Sequence, residues 1–122
     1  GSTPFDRLTE AFATGPMTRL FVRLGAAVVP IAVDSVTRFE ADGDYVTAFS
    51  PRGKHLLHLS LNRLEARLDP TKFTRVHRSH IVNLSHVSAF RRVKGRVVAE
   101  LSDGARVAVS RERARELRQL GV

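Results

Sequence analysis

The chain has 122 residues, 43% hydrophobic side chains and no cysteine, and its net charge is +8. That length bounds one small domain with a single core, and that composition argues against disorder. Disulfides, thiol catalysis and cysteine-type zinc sites are excluded, and a reducing, cytoplasmic compartment is expected.

Gly1-Ser2 reads as a cloning scar, and TPFDRLTEAFATGP (3–16) as a short amphipathic helix. Phe5, Leu8 and Phe12 recur there at helical spacing, and Gly15-Pro16 ends it. Residues 1–18 are therefore expected to be a tag remnant plus a linker or accessory helix, with the folded domain over 19–122. From Arg19 the apolar period changes to two. RLFVRLG alternates Leu20, Val22 and Leu24 against Phe21 and Arg23, and AVVPIAV is β-rich, with Pro30 pointing to an edge or a bulge. SVTRFEA, YVTAFS and KHLLHLS follow, separated by the turns Asp42-Gly43-Asp44 and PRG (51–53). Five strands in about forty residues form a meander and not a βαβ pattern. The longest apolar run, AAVVPIAV (26–33), has eight residues and a proline. A bilayer span needs roughly 20, and no signal peptide is seen, so no membrane contact is expected from this segment.

SLNRLEARLDP (60–70) is the interior helix, with Ser60 as N-cap, Leu61, Leu64 and Leu68 as its apolar stripe, and Asp69-Pro70 as its stop. Next comes FTRVHRSHIVNLSHV (73–87), which mixes histidines, arginines and serine into a run that otherwise reads as core. VSAFRRVKGRVVAELSDGARVAVS then holds three strands linked by Lys94-Gly95 and Asp103-Gly104, the second being the stronger hairpin signal. RERARELRQLGV closes the chain as a helix capped by Ser110. The fold class is mostly β: antiparallel sheets with one short interior helix and a C-terminal helix.

The chemistry narrows quickly. His77 and His80 are three apart, as are His55 and His58, but in an alternating strand the latter pair faces opposite sides. Carboxylates are scarce in the C-terminal half, so neither a metal nor any other cofactor is expected. No acid lies between Asp69 and Glu100 to orient His77 or His80 as a catalytic base. GxSxG, P-loop and GxGxxG motifs are absent, so the protein is not expected to be an enzyme.

Charge is more telling. Residues 1–70 carry 8 Lys/Arg and 8 Asp/Glu, whereas residues 71–122 carry 12 and 4, so the whole excess lies in the last 52 residues. Of the 20 basic residues 17 are arginine, the side chain suited to bidentate grip on phosphate and guanine. They cluster at Arg75 and Arg78, from Arg91 to Arg96, and from Arg111 to Arg118. Arginine codons of a high-GC genome would explain the preference for arginine but not its lopsided distribution. One tyrosine and seven phenylalanines, most at core-like positions, make thin stacking platforms for single strands. Duplex nucleic acid is the favoured partner, although no helix-turn-helix spacing is evident.

The stretch at 73–87 resembles the signature segment of LytTR domains, which read phenylalanine, a short spacer, His-Arg-Ser, then Val-Asn. VDSVTRFEADGDYVTAF, SLNRLEARLDPTKF and VAVSRERARELRQL are similar in order to the family's strand and acidic turn, single helix and closing segment. The resemblance covers about 19–120. It implies an elongated antiparallel β fold whose loops, rather than a recognition helix, enter the grooves of double-stranded DNA. It further implies a bacterial transcriptional regulator that binds paired direct repeats as a dimer, often behind a receiver or sensor domain, as in two-component response regulators. Carried over by position, Tyr45, Arg78 and the Arg111/Arg113 region are the contact candidates. Arg75 and His80 are expected as flanking phosphate contacts, and Arg91 and Arg92 as sequence-independent ones. His77, Ser79 and Asn83 are expected to hold the loop's backbone. A histidine on such a surface also suggests tighter binding at mildly acidic pH. The competing class is a basic protein-interaction module that has lost specific DNA binding.

Overall fold

The computed structural model describes residues 16–119; the helix expected over 3–16 lies outside the described residues but for Pro16. β1 (Arg19–Leu24) and β2 (Ala27–Ala32) form a two-stranded antiparallel sheet. Leu20 and Val22 are buried as the alternation requires, while Leu24, at the strand's end, is exposed. Pro30 pairs with Phe21 on a strand that has no second neighbour among the described residues, an edge position that suits its missing N–H.

A short 3-10 turn, Val33–Ser35, breaks the strand run and redirects the chain. The expected five-strand meander is corrected here: β1–β2 stays a separate hairpin, and the next strand begins a new sheet. That sheet contains β3 (Arg38–Asp42), β4 (Tyr45–Ser50), β5 (Gly53–Leu57), β6 (Phe73–His77) and β7 (His80–Asn83), in the order β5-β4-β3-β7-β6 with all pairs antiparallel. The loop joining β3 and β4 has two residues, and Gly43 at its first position takes φ 60°, a conformation open to glycine without a Cβ clash.

α1 (Leu61–Arg67) crosses between β5 and β6. Ser60 caps it, accepting the Arg63 N–H at 3.1 Å, and Leu61, Leu64 and Leu68 are all buried. A third sheet, β8 (Val87–Val93), β9 (Arg96–Leu101) and β10 (Arg106–Ala108), is followed by α2 (Arg111–Gln119). The β8–β9 connection is the tighter hairpin: Lys94 and Gly95 both have positive φ, 50° and 79°, the requirement of a type I′ turn. Ser110 caps α2 through the Arg113 N–H at 3.2 Å.

Two apolar clusters hold these layers. The larger lies between β1–β2, α1 and one face of the five-stranded sheet, and includes Val22, Phe39, Leu64, Phe73 and Ile81. The smaller joins Val76 and Val82, from the opposite face of β6 and β7, to Ala99, Leu101, Val107 and Ala114. The β6–β7 hairpin thus contributes to both cores, which explains why the stretch at 73–87 is so apolar. Its arginines and histidines lie at the turn and beside it, while Thr74 and Asn83 stand at the far end of the hairpin.

Candidate nucleic-acid interface

Strand pairing brings four remote segments to one end of the molecule. The Ala41 N–H donates to Ser79 O at 2.8 Å, which sets the β6–β7 turn (Arg78-Ser79) beside the β3–β4 turn that precedes Tyr45. The Ser110 N–H donates to Val76 O at 2.7 Å and so places the start of α2 against the same turn. The Val109 N–H donates to Val97 O at 3.0 Å, which aligns the β8–β9 tip, Lys94-Gly95, with that end. Tyr45, Arg78, Arg111 and the ribbon arginines, separated by up to 66 positions in the chain, are therefore gathered together. Asp34, Asp69 and Asp103 stand toward the opposite end, where Asn83 pairs with Phe73. Asp42 and Asp44 are the carboxylates that flank Gly43 at the basic end.

The candidates differ in what holds them. Arg78 is exposed at the turn, and its guanidinium has no hydrogen bond or ion pair among the described residues. Tyr45 is 41% exposed and packs edge-on against the His58 ring, with centroids 4.8 Å apart. Arg111 is exposed on the first turn of α2, whereas Arg113 donates to Glu116 Oε2 at 3.1 Å. Arg91 and Arg92, adjacent in β8, face opposite sides of the ribbon. Arg91 donates to Glu100 Oε1 at 2.9 Å, and Arg106 shares that carboxylate at 3.4 Å; the Arg92 side chain has no such partner among the described residues.

Arg75 and His80 are engaged within the protein. The Arg75 side chain is 15% exposed and donates to Asn62 Oδ1, to Glu65 Oε1 at 3.3 Å, to His77 O at 3.4 Å and to Arg78 O at 2.5 Å. His80 has both ring nitrogens occupied, Nε2 by Glu40 Oε1 at 3.3 Å and Nδ1 by Ser79 Oγ at 3.0 Å. A carboxylate at Nε2 assigns that nitrogen a proton, so Ser79 Oγ donates to Nδ1 of the neutral ring. Burial holds the His80 pKa below its ordinary value; Glu40 opposes this, while Arg38 and His77 add to it. His77 Nδ1 accepts the Ser79 N–H at 3.2 Å and lies 2.9 Å from Ser79 Oγ. Asn83 is buried; its amide donates to Asp34 O at 3.0 Å and Val36 O at 2.9 Å and accepts from the Ser85 N–H.

The partners Asn62, Glu65, Glu40 and His58 were not legible as parts of this end, because they are neighbours in space and not in sequence. Among the described residues, no three metal-ligating side chains cluster, and no helix is long and apolar enough to cross a membrane.

Antiparallel layers that present arginine on turns and at the start of a helix define a basic, mostly β domain. The chain belongs to the LytTr DNA-binding domain family, whose model matches residues 26–121, and DNA is the partner which that membership assigns. It is 37% identical over 108 residues to the CO-responsive transcriptional regulator RcoM of Rhodospirillum rubrum, an alignment that covers 87% of this chain and 46% of that protein. It is 28% identical over 116 residues to the sensory transduction protein LytT of Bacillus anthracis, covering 94% of this chain and 47% of the relative. A solved LytTr DNA-binding domain from Bacillus cereus superposes with a TM-score of 0.77 at 25% identity, covering 85% of this chain and 96% of the other. The chain thus spans less than half the length of these two curated relatives.

Proposed function

We propose that this domain binds double-stranded DNA sequence-specifically, as a pair of copies on direct repeats, for a bacterial transcriptional regulator. The observation that carries the reading is the gathering of the β3–β4 turn, the β6–β7 turn, the start of α2 and the β8–β9 tip at one end. In this reading Arg78 reads a base edge, because it combines exposure with a guanidinium free to form two parallel hydrogen bonds. Tyr45 and Arg111 make base or phosphate contacts beside it. Arg92 and the ribbon tip neutralise phosphate. Arg75 and His80, in contrast to the flanking phosphate contacts expected of them, act on the turn from inside.

Selection from a random duplex pool at moderate and high salt tests this reading. Enrichment of two short repeats about 10.5 base pairs apart, one helical turn, is the expected result. Salt-labile retention without an enriched sequence would sink it and make a basic interaction module the better description. We also infer that the domain is the output module of a longer regulator, with a receiver or ligand-sensing segment in the same polypeptide. The support is that curated relatives are about twice as long. A reading frame that adds no folded segment to this one would remove that inference.

A further inference from the structure

We infer that α1 acts as a clamp on the base-reading turn, with Arg75 as a positioning residue that carries its grip to Arg78. This inference rests on the reading of Arg78 given above.

The hairpin departs from regular pairing where the clamp holds it. The β6–β7 register shifts between Arg75 and His77, leaving Val76 without a strand partner. Such a bulge bends the strand and re-aims the side chains beyond it, here Arg78 at the turn. Irregular backbone needs other hydrogen-bond partners, and two of its carbonyls find them in one guanidinium. Arg75 Nε donates to His77 O at 3.4 Å and Nη2 to Arg78 O at 2.5 Å. The other edge of the same guanidinium is held by α1, through Asn62 Oδ1 and through Glu65 Oε1 at 3.3 Å. Asn62 and Glu65, three apart, lie on one face of α1. α1 is in turn fixed by Leu61, Leu64 and Leu68 in the larger core. A continuous chain of contacts therefore runs from buried leucines through a planar fork to the peptide that carries Arg78.

Chemistry separates this role from simple attraction to phosphate. A phosphate contact needs a positive charge, which lysine supplies equally well. A clamp on two carbonyls and two side-chain oxygens needs a rigid fork with five donors, which lysine lacks. Placement of this kind matters for base reading because bidentate pairing tolerates little displacement, whereas phosphate neutralisation is weakly directional.

The test compares Arg75→Lys, Asn62→Ala and Arg78→Ala with the unsubstituted protein, using the selected duplex and a scrambled duplex across a salt series. Thermal unfolding is followed in parallel. The expected result is that Arg75→Lys and Asn62→Ala each lower the ratio of specific to scrambled affinity about tenfold, within the range one bidentate base contact supplies. Scrambled-duplex affinity and salt slope stay unchanged. In the Arg78→Ala background the same two substitutions have no further effect on the ratio, since the side chain that they position is gone. A domain that is merely destabilised would lose both affinities together and would not show that dependence on Arg78. Retention of the full ratio by Arg75→Lys and Asn62→Ala, with Arg78→Ala lowering it, overturns the clamp alone. A full ratio in Arg78→Ala removes the base-reading assignment and the clamp with it.

Discussion

The β6–β7 turn and the β8–β9 ribbon both bring arginine to the basic end, and they are built in opposite ways. Around Arg78 the backbone is held by Arg75, His77, Ser79 and Ala41, and the strands on either side enter two cores. Beyond Phe90 the ribbon is exposed on both strands from Arg91 to Arg96, and Lys94 and Gly95 turn it without help from any side chain. Ordering a turn before it meets DNA lowers the entropy lost on binding and fixes the direction of a side chain. An exposed cationic ribbon gains little from such fixing, because attraction to phosphate depends on distance far more than on angle. Under the proposed reading, the difference says where specificity is to be sought, in the braced hairpin, and where added affinity is to be sought, in the ribbon.

The strongest way to break the comparison is to loosen the braced hairpin at its root. Asn83→Ala removes a buried amide that ties β7 to the Val33–Ser35 turn and leaves the buried Val36 carbonyl without that partner. A loss of about 2 kcal/mol is expected, since one stranded buried group costs about 1–3. Urea unfolding measures it, and a loss below about 1 kcal/mol would show that water or a local shift replaces the amide. Arg92→Ala, on the exposed ribbon, is expected to change stability by less than about 0.5 kcal/mol in the same experiment.

Next comes the turn's tip. Arg78→Ala should weaken binding to the selected duplex by about 1–3 kcal/mol and relax preference at one base pair. Unchanged preference would move the reading of bases to Tyr45 or Arg111. On the ribbon, Arg92→Ala should weaken all duplexes alike and reduce the salt slope by about 1. Arg91→Ala should do less, because its guanidinium already faces Glu100. Equal effects at both positions would mean that the ion pair opens on DNA. The adjacent pair thus separates what the amino-acid pattern alone had treated as one phosphate-contacting unit.

Much of the fold was legible because its signals are local. Ser60 and Ser110 announce helix starts, Pro30 an edge, Gly43 and Lys94-Gly95 their turns, and alternation sets Leu20 and Val22 on one face. The separate β1–β2 sheet was not legible, since a three-residue turn at Val33–Ser35 decides it and carries no strong sequence mark. The candidate interface was half legible. Motif position singled out Arg78 and Tyr45, and exposure is what distinguishes them in the structure. Arg75 and His80 look identical to phosphate contacts in one dimension; only the return of α1 and β3 beside them reveals Asn62, Glu65 and Glu40 as their partners.

The smallest expected effect concerns the braced turn's response to acid. His80 is packed between Glu40 and Ser79, with Arg38 and His77 also acting on it, and burial lowers its pKa from 6.5. The unfolded chain titrates near that ordinary value, so well above pH 6.5 the ring is neutral in both states and adds no pH dependence. As pH falls below 6.5 the unfolded chain takes up the proton first, and stability declines until the folded-state pKa is passed. Urea unfolding at pH 7.5, 6.5 and 5.5 should show a decline that is steeper in the lower interval, and His80→Gln should reduce it. A stability that rises on acidification would mean that Glu40 prevails over burial and holds the ring charged. The same sign bears on DNA binding: with His80 neutral down to and below pH 6.5, tightening at mildly acidic pH is not expected from this residue. Affinity for the selected duplex should be level between pH 8 and 6 in both proteins, and a tightening lost in His80→Gln would place a charged imidazole at the phosphate after all.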